Sequence, residues 1–124
     1  MASWQLTNTV GHISAYLGNK MEEPFDTGDF FESKDGTKIP RNSQFPIVVL
    51  KAKKVQLDTL AKNLQNSKLL FIVYVQDMID LGDDEKLATA LKAKNFQEMD
   101  IIGIGIFGLN DDVKKLTGEL KLWK

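Results

Sequence analysis

The amino-acid sequence predicts an α/β domain in which helices cover a largely parallel sheet. Three continuous apolar runs rich in β-branched residues are typical of buried strands: PIVVLKA, LLFIVYV and DIIGIGIFG. Helical patterns lie between these runs, and strands that alternate with helices favour a parallel sheet covered by helices. A chain of 124 residues has the usual size of one domain, so residues 1–124 are expected to form a single unit.

Composition restricts the chemistry that the chain can carry. No cysteine is present, which excludes disulfides and thiolate metal sites, and the single histidine, His12, excludes a multi-histidine zinc site. We therefore predict no metal and no cofactor. A net charge of −1 gives no bulk electrostatic sign of nucleic-acid or membrane binding. No apolar stretch approaches the ~18–20 residues that cross a bilayer, and MASWQLTNT lacks the features of a signal peptide, so a cytoplasmic location is predicted.

The first predicted element is a helix over WQLTNTVGHISAYLG, residues 4–18. Ser3 is its expected N-cap, and the pair Gly18-Asn19 is expected to end it. Apolar residues recur at alternating steps of four and three, which places them in one stripe: Leu6, Val10, Ile13 and Leu17.

The segment from Met21 to Phe45 is predicted to be mostly irregular. It contains Pro24, Pro40 and the turn pair Asp35-Gly36. A short hairpin is predicted around that turn pair.

The rest of the chain is predicted to alternate strands and helices. The strands are residues 46–52, 69–75 and 100–108, and the helices are VQLDTLAKNLQNS, DDEKLATALKAKN and NDDVKKLTG. Asn110 is the expected cap of the last helix. Four acids are interpreted as first-turn helix residues rather than metal ligands, because no calcium-loop spacing accompanies them: Asp83, Asp84, Asp111 and Asp112.

Gly103, Gly105 and Gly108 have the spacing of a dinucleotide-binding fingerprint within IIGIGIFG. That fingerprint places its glycines in the turn after a strand and needs a further strand with an acid about 20 residues later. Here Gly103 and Gly105 alternate with isoleucines inside the strand, and the residues after Gly108 contain no such strand–acid unit. The better interpretation is that two glycines on one face of the strand allow a helix backbone to lie close against it.

Two stretches of the chain resemble known family patterns. DIIGIGIFGLNDDVKKLTGELKLW resembles the C-terminal signature of the type-two peptidyl-tRNA hydrolase superfamily, and LTNTVGHISAYLG resembles the first helix of that superfamily. The sequence is most similar to an uncharacterised bacterial branch, the domain of unknown function number two thousand, which is marked by an N-x-x-x-H helix and a P-I-x-x-L-K strand. The matching positions are Asn8, His12, Pro46, Ile47, Leu50, Lys51, Lys115, Leu116, Thr117 and Leu122.

This resemblance implies a three-layer α/β/α fold around a mixed, mostly parallel sheet of about four strands. Members of the family begin with a strand that precedes the first helix and lies in the middle of the sheet. The present sequence reaches its first helix almost at once, so the family's first strand is expected to be missing. Residues from Met21 to Phe45, or a strand from a second copy of the chain, are candidates to fill that place.

The resemblance also implies a set of hydrolase positions, only one of which keeps its residue type. By position, Gln5 stands where the hydrolases have a lysine, and Thr9 stands where they have a glutamine. Asp77 retains their aspartate, while Leu81 replaces their threonine. The chain is therefore expected to lack most of the hydrolase's catalytic set, and Gln5 and Thr9 become candidate ligand contacts.

A polar pocket is predicted where the first helix approaches the end of the strand LLFIVYV. Gln5, Asn8 and His12 share the helix face opposite the apolar stripe, and Asn8 can hydrogen-bond His12 one turn away. Asp77 follows that strand, and the end of a buried strand commonly lines a ligand crevice. In this interpretation His12 is a general base or ligand contact, and Asp77 orients or charges it. The alternative is a solvated helix face beside an ordinary capping acid.

Two further groups of residues admit a functional interpretation. Lys51, with Lys53 and Lys54, is a candidate contact for phosphate or carboxylate, or else part of a solvated charge run. Trp4 and Trp123 are interpreted as packed or interface aromatics.

Three functions remain open from the sequence. The first is a domain of hydrolase-like fold that binds a small molecule or tRNA without catalysis. The second is a peptidyl-tRNA hydrolase or related hydrolase that uses His12 and Asp77. The third is an oligomerising module, with a homodimer as the simplest form, whose missing strand is supplied by another chain.

Overall fold

The computed structural model describes residues 1–21, 28–42 and 45–124. Its helices are α1 (Ser3–Met21), α2 (Lys54–Gln65), α3 (Gln76–Asp80), α4 (Asp84–Lys92) and α5 (Asn110–Thr117), with a 3-10 turn at Phe96–Glu98. Its strands are β1 (Phe31–Glu32), β2 (Lys38–Ile39), β3 (Leu50–Lys51), β4 (Leu70–Val75), β5 (Ile101–Phe107) and β6 (Lys121–Leu122). No helix in these three ranges is long and apolar enough to cross a membrane.

The two longest strands, β4 and β5, pair with each other in antiparallel orientation. Tyr74 lies opposite Gly103, and Ile72 lies opposite Gly105. Apart from Tyr74, both strands consist only of apolar residues and glycine. Such strands can be covered by other elements on both faces, because neither face needs contact with water.

The largely parallel sheet expected from the alternation of strands and helices is not found, since every strand pair of the described chain is antiparallel. Two parallel strands need a crossover connection that leads the chain back to the end of the sheet where the first strand began. The connection from β4 to β5, which contains α3 and α4, stays instead at the end of β4. The backbone N–H of Gln76 donates to the carbonyl of Asp100 at 2.9 Å. β5 therefore begins where β4 ends and runs back beside it.

The described strands also form three separate pairs rather than one sheet of about four strands: β1–β2, β3–β6 and β4–β5. The predicted strand 46–52 is reduced to β3, in which Leu50 pairs with Leu122. Ile47 and Val48 are 62% and 59% exposed. This run is therefore not the buried strand that its composition predicts.

α1 lies directly against the two glycines inside β5. A Cβ atom at Gly103 would lie 2.6 Å from Cγ2 of Thr9, and one at Gly105 would lie 2.2 Å from Cγ2 of Ile13. Both distances are far shorter than a van der Waals contact, so no side chain fits at either position with the helix in place. The interpretation of these glycines as positions of close helix approach is confirmed.

α2 packs on the opposite face of the same strand pair. Ile104 stands between Gly103 and Gly105, so its side chain points away from α1. It packs against a buried cluster that α2, β4 and β5 build together from Ala61, Val75 and Ile101. The β4–β5 pair thus has a helix on each face, which agrees with an α/β fold.

Several predicted element ends differ from the structure. α1 already includes Ser3 and continues through Gly18 and Asn19 to Met21, so neither predicted signal marks its end. Asn110 is the first residue of α5, and Leu109 is the N-cap. Asp83 does cap α4, since its carboxylate accepts the backbone N–H groups of Glu85 and Lys86.

The predicted hairpin around Asp35-Gly36 is confirmed. β1 and β2 pair antiparallel, with Phe31 opposite Ile39. Gly36 adopts a φ of 85°, a backbone conformation that glycine reaches without strain. The Asp35 carboxylate accepts the hydroxyl of Ser33 and the backbone N–H of Thr37, which closes the turn.

Gly105→Ala is expected to destabilise the fold by about 1–3 kcal/mol, because the added methyl group overlaps a β-branched side chain held on α1. Chemical denaturation measures the change in the free energy of unfolding. Gly11→Ala is the matched control, because a Cβ there has open space in the interior of a helix. It should raise stability by about 0.5–1 kcal/mol. Equal effects of the two substitutions would contradict the close-packing argument.

Hydrogen bonds from Ser33 and Thr37 lower the pKa of Asp35 below its usual 3.8. Ser33→Ala is expected to raise that pKa, which NMR titration of the carboxyl carbon measures. Because the folded-state pKa is the lower one, the contribution to stability is present above the unfolded-state pKa and is lost as pH falls through the folded-state pKa. Ser67→Ala, which removes a hydroxyl bonded to the carbonyl of Leu64, should leave the Asp35 titration unchanged. An unshifted titration in Ser33→Ala would show that the turn bond is absent.

Candidate functional site

Tyr74 brings two of the predicted site residues together at the contact between α1 and β4. The side-chain amide of Asn8 donates to the Tyr74 hydroxyl at 3.2 Å. The His12 imidazole stacks on the Tyr74 ring, with ring centroids 5.7 Å apart and planes inclined by 15°. Tyr74 is buried at 6% exposure, while His12 is exposed. The cluster therefore combines a buried tyrosine with an accessible imidazole.

The helical period explains why Asn8 and His12 reach the same tyrosine. They are four residues apart on α1 and so share one flank of the helix. Thr9 and Ile13, each one position further along, form the next row and lie on the glycines of β5. The prediction that these polar residues lie opposite the apolar stripe is therefore wrong for Asn8 and His12, which lie beside the buried row and contact the same strand pair.

Thr9 is the most unusual member of this region. It is only 4% exposed, and its Oγ1 has no hydrogen-bond partner among the described residues. Its methyl group is the atom nearest to Gly103, so the threonine is held in place by packing. A buried hydroxyl without a partner costs about 1–3 kcal/mol, which sets this position apart from ordinary core packing.

Asp77 is engaged by a residue that the sequence argument did not include. Its Oδ2 accepts the Lys94 ammonium at 2.7 Å, and both side chains are partly buried. No hydrogen bond or ion pair joins Asp77 to His12 within the part of the chain that the structure describes. The predicted His12–Asp77 pair is thus not formed, because α3 turns away from β4 directly after Val75 and packs against α4, which leads to Lys94.

The other predicted ligand contacts either bond to nearby residues of the chain or lie on the β3–β6 strand pair, away from β4. The side-chain oxygen Oε1 of Gln5 accepts the backbone N–H of Ala2 at 3.0 Å. Lys51 is an exposed residue of β3 and pairs in register with Lys121. Lys54 bridges Asp58 at 2.9 Å and Asp100 at 3.6 Å. Nothing in these bonds connects the lysine cluster to Tyr74.

No group of three metal-ligating side chains occurs within residues 1–21, 28–42 and 45–124. Asp84, Asp111 and Asp112 lie in the first turns of their helices, as predicted, whereas Asp83 is the N-cap of α4. An open depression of about 480 Å³ is lined by residues of α4 and the segment before it, and it includes none of the predicted site residues.

Sequence reasoning missed Tyr74 and Lys94. Tyr74 carried a signal, because it is the one polar side chain in a strand of apolar residues and a buried tyrosine hydroxyl usually has a partner. Lys94 carried none, since it lies seventeen residues from Asp77 in a stretch that reads as the end of a helix.

Comparison with known proteins gives a family and a fold. The family model described as "Protein of unknown function (DUF2000)" matches residues 1–124. The solved structure of Atu0240 from Agrobacterium tumefaciens strain C58, itself a protein of unknown function, is similar with a TM-score of 0.86 at 18% sequence identity. That similarity covers 100% of this chain and 90% of the other. No curated protein matches the chain.

Tyr74→Phe is expected to lower the free energy of unfolding by about 1 kcal/mol, because the Asn8 amide loses its partly buried acceptor. Tyr16→Phe is the matched control, since no hydrogen bond of the Tyr16 hydroxyl occurs in the described chain and its ring contacts Lys20. In an Asn8→Ala background the cost of Tyr74→Phe should nearly vanish, as a double-mutant cycle measures. Additive effects would show that the bond does not stabilise the fold.

Proposed function

The chain belongs to the DUF2000 family of proteins of unknown function, and from its site geometry we propose that it is a non-catalytic binding domain with the fold of the type-two peptidyl-tRNA hydrolases. The proposal treats residues 1–124 as one three-layer α/β/α domain that acts in the cytoplasm without a cofactor. The helices on both faces of the β4–β5 pair support the layered arrangement. The resemblance of the first helix and of the C-terminal stretch supports the relation to the hydrolases.

The ion pair between Lys94 and Asp77 carries the non-catalytic part of the proposal. A histidine acts as a general base most effectively when an acid orients and charges its imidazole. Here Asp77, the acid that the resemblance implies, forms an ion pair with the Lys94 ammonium at 2.7 Å. His12 stacks on Tyr74 instead, and that contact holds a ring without supplying a charge.

The buried hydroxyl of Thr9 carries the binding part of the proposal. A polar atom of a ligand or of an ordered water that reached Oγ1 would recover the cost of its burial. Asn8 and Tyr74 add an amide and a phenol close by, and His12 adds an accessible aromatic ring. This combination suits a small planar heterocycle with hydrogen-bonding edges, such as a nucleobase.

A nucleobase can come from a free nucleotide or from the end of a tRNA. The two sources differ in phosphate contacts: tRNA binding depends steeply on salt, whereas a single nucleotide releases few counterions. Lys51, an exposed residue of β3, is available for such a phosphate contact.

The second candidate is a hydrolase in which His12 acts with Asp77. The accessible imidazole favours it, because His12 is exposed and its ring is oriented by Tyr74. This function requires Asp77 to exchange Lys94 for His12 when substrate binds.

Thr9→Val is the decisive substitution for the binding function. It keeps the shape of the side chain and removes the unpartnered hydroxyl, so we expect the fold to gain about 1 kcal/mol. Binding of adenosine monophosphate or uncharged tRNA, followed by NMR titration of isotope-labelled protein, should weaken by about tenfold, since one hydrogen bond of about 1.4 kcal/mol is lost. Thr7→Val is the control, because Thr7 is exposed on the same helix and bonds its own backbone.

Three outcomes separate the candidates. Binding that Thr9→Val and His12→Ala both leave unchanged would rule out this site. Hydrolysis of a peptidyl-tRNA analogue that is lost in both His12→Ala and Asp77→Ala would replace the binding function with the hydrolase. Hydrolysis that survives both substitutions would remove the hydrolase as described here.

A further inference from the structure

Two apolar surfaces of the described chain are uncovered. The first, which we call the arm, is residues 28–42, the segment that contains the β1–β2 hairpin. The second, which we call the strand run, is residues 47–50 together with 121–123, the segment around the β3–β6 pair.

The arm is a two-stranded hairpin whose residues are exposed, with the exception of Ser33. Phe30, Phe31 and Ile39 are 55%, 49% and 49% exposed. Its ladder and its turn bonds join arm residues to one another, and the Arg41 guanidinium lies 4.4 Å from the centre of the Phe31 ring. An isolated two-stranded hairpin is at best marginally stable in water, so this arm needs a surface to rest on.

The strand run is as apolar as a buried strand, yet several of its side chains are exposed to solvent. Ile47 and Val48 are 62% and 59% exposed, and Leu122 of β6 and the next residue, Trp123, are 56% and 40% exposed. Large apolar side chains exposed together on paired strands are typical of an interaction site. The arm does not cover the strand run of its own chain, because the apolar residues of both surfaces are exposed in the same structure.

The total accessible surface is large for a chain of this mass. A folded monomer of 14.0 kDa is expected to expose about 6,700 Å², whereas this chain exposes 9344 Å². The excess is about 2,600 Å² per chain, and a standard protein interface hides only about 800 Å² on each partner. The chain therefore has enough uncovered surface for an extensive dimer.

We propose that the protein is a homodimer in which the arm of each protomer covers the strand run of the other. Two equivalent contacts related by a two-fold axis close the assembly and leave no further arm free to add a third chain. A net charge of −1 puts little electrostatic repulsion between the copies. The exchange buries both apolar surfaces at once.

The first test is the mass in solution of the full chain, measured by sedimentation over roughly 1 μM to 0.5 mM. The expected mass is twice 14.0 kDa. Phe31→Thr in the arm and Ile47→Thr in the strand run should each raise the dimer dissociation constant by about tenfold or more, because each removes an apolar anchor from two contacts. Leu109→Thr is the matched control, since Leu109 is 76% exposed outside both surfaces and threonine is a good residue at that N-cap.

The second test mixes the two weakened variants. In an exchanged dimer, the intact arm of Ile47→Thr meets the intact strand run of Phe31→Thr, so the mixture should associate more tightly than either variant alone. Arms that contact arms, or runs that contact runs, would show no such recovery. Ile39→Thr and Val48→Thr repeat the experiment with the neighbouring residue of each surface if a first variant loses its fold.

A single mass of 14.0 kDa over the whole concentration range would overturn the proposal. A dimer that none of these substitutions weakens, or a mixture without recovery, would overturn it as well.

Discussion

The close approach of α1 to β5 is the constraint on which the rest of the structure depends. Gly103 and Gly105 present bare backbone to the helix, and the β-branched side chains of Thr9 and Ile13 occupy the space that a Cβ would need. Dispersion forces reward this contact only while the surfaces stay within van der Waals distance. The same strand carries isoleucines on its other face, where α2 completes the core. One alternating stretch, IIGIGIF, thereby serves two different helices.

The candidate site is a consequence of that approach. Because the row of Thr9 and Ile13 is pressed onto the glycines, the neighbouring row of Asn8 and His12 lies at the height of Tyr74. The cost is the buried hydroxyl of Thr9, which has no partner within the described ranges. A buried hydroxyl that lowers the stability of the fold, as that of Thr9 does, is typical of a functional site.

The reversal between β4 and β5 decides what happens to the acid. A parallel crossover would have left Asp77 at the open end of the sheet, free to approach the first helix. Instead the chain turns into α3 and α4 and returns beside β4, with Gln76 bonded to Asp100 across the turn. This path brings Lys94 to the carboxylate at 2.7 Å. The Lys94 ammonium balances the charge of Asp77, and no hydrogen bond or ion pair in the described chain joins that carboxylate to the His12 imidazole.

The sequence by itself determined the apolar strands β4 and β5, the helices beside them, the Asp35-Gly36 turn and the role of the glycines, because each follows from a short-range period or a local backbone preference. It also placed Asn8 and His12 on one helix flank. Only the tertiary structure decided that β4 and β5 run antiparallel, that Ile47 and Val48 stay exposed, and that Tyr74 and Lys94 are the partners of Asn8 and Asp77. These outcomes depend on which distant segments meet, and periodicity within a segment holds no information on that. The mixture of helices and strands was therefore predictable from the chain, whereas the strand order and direction and the pairing of the polar groups were not.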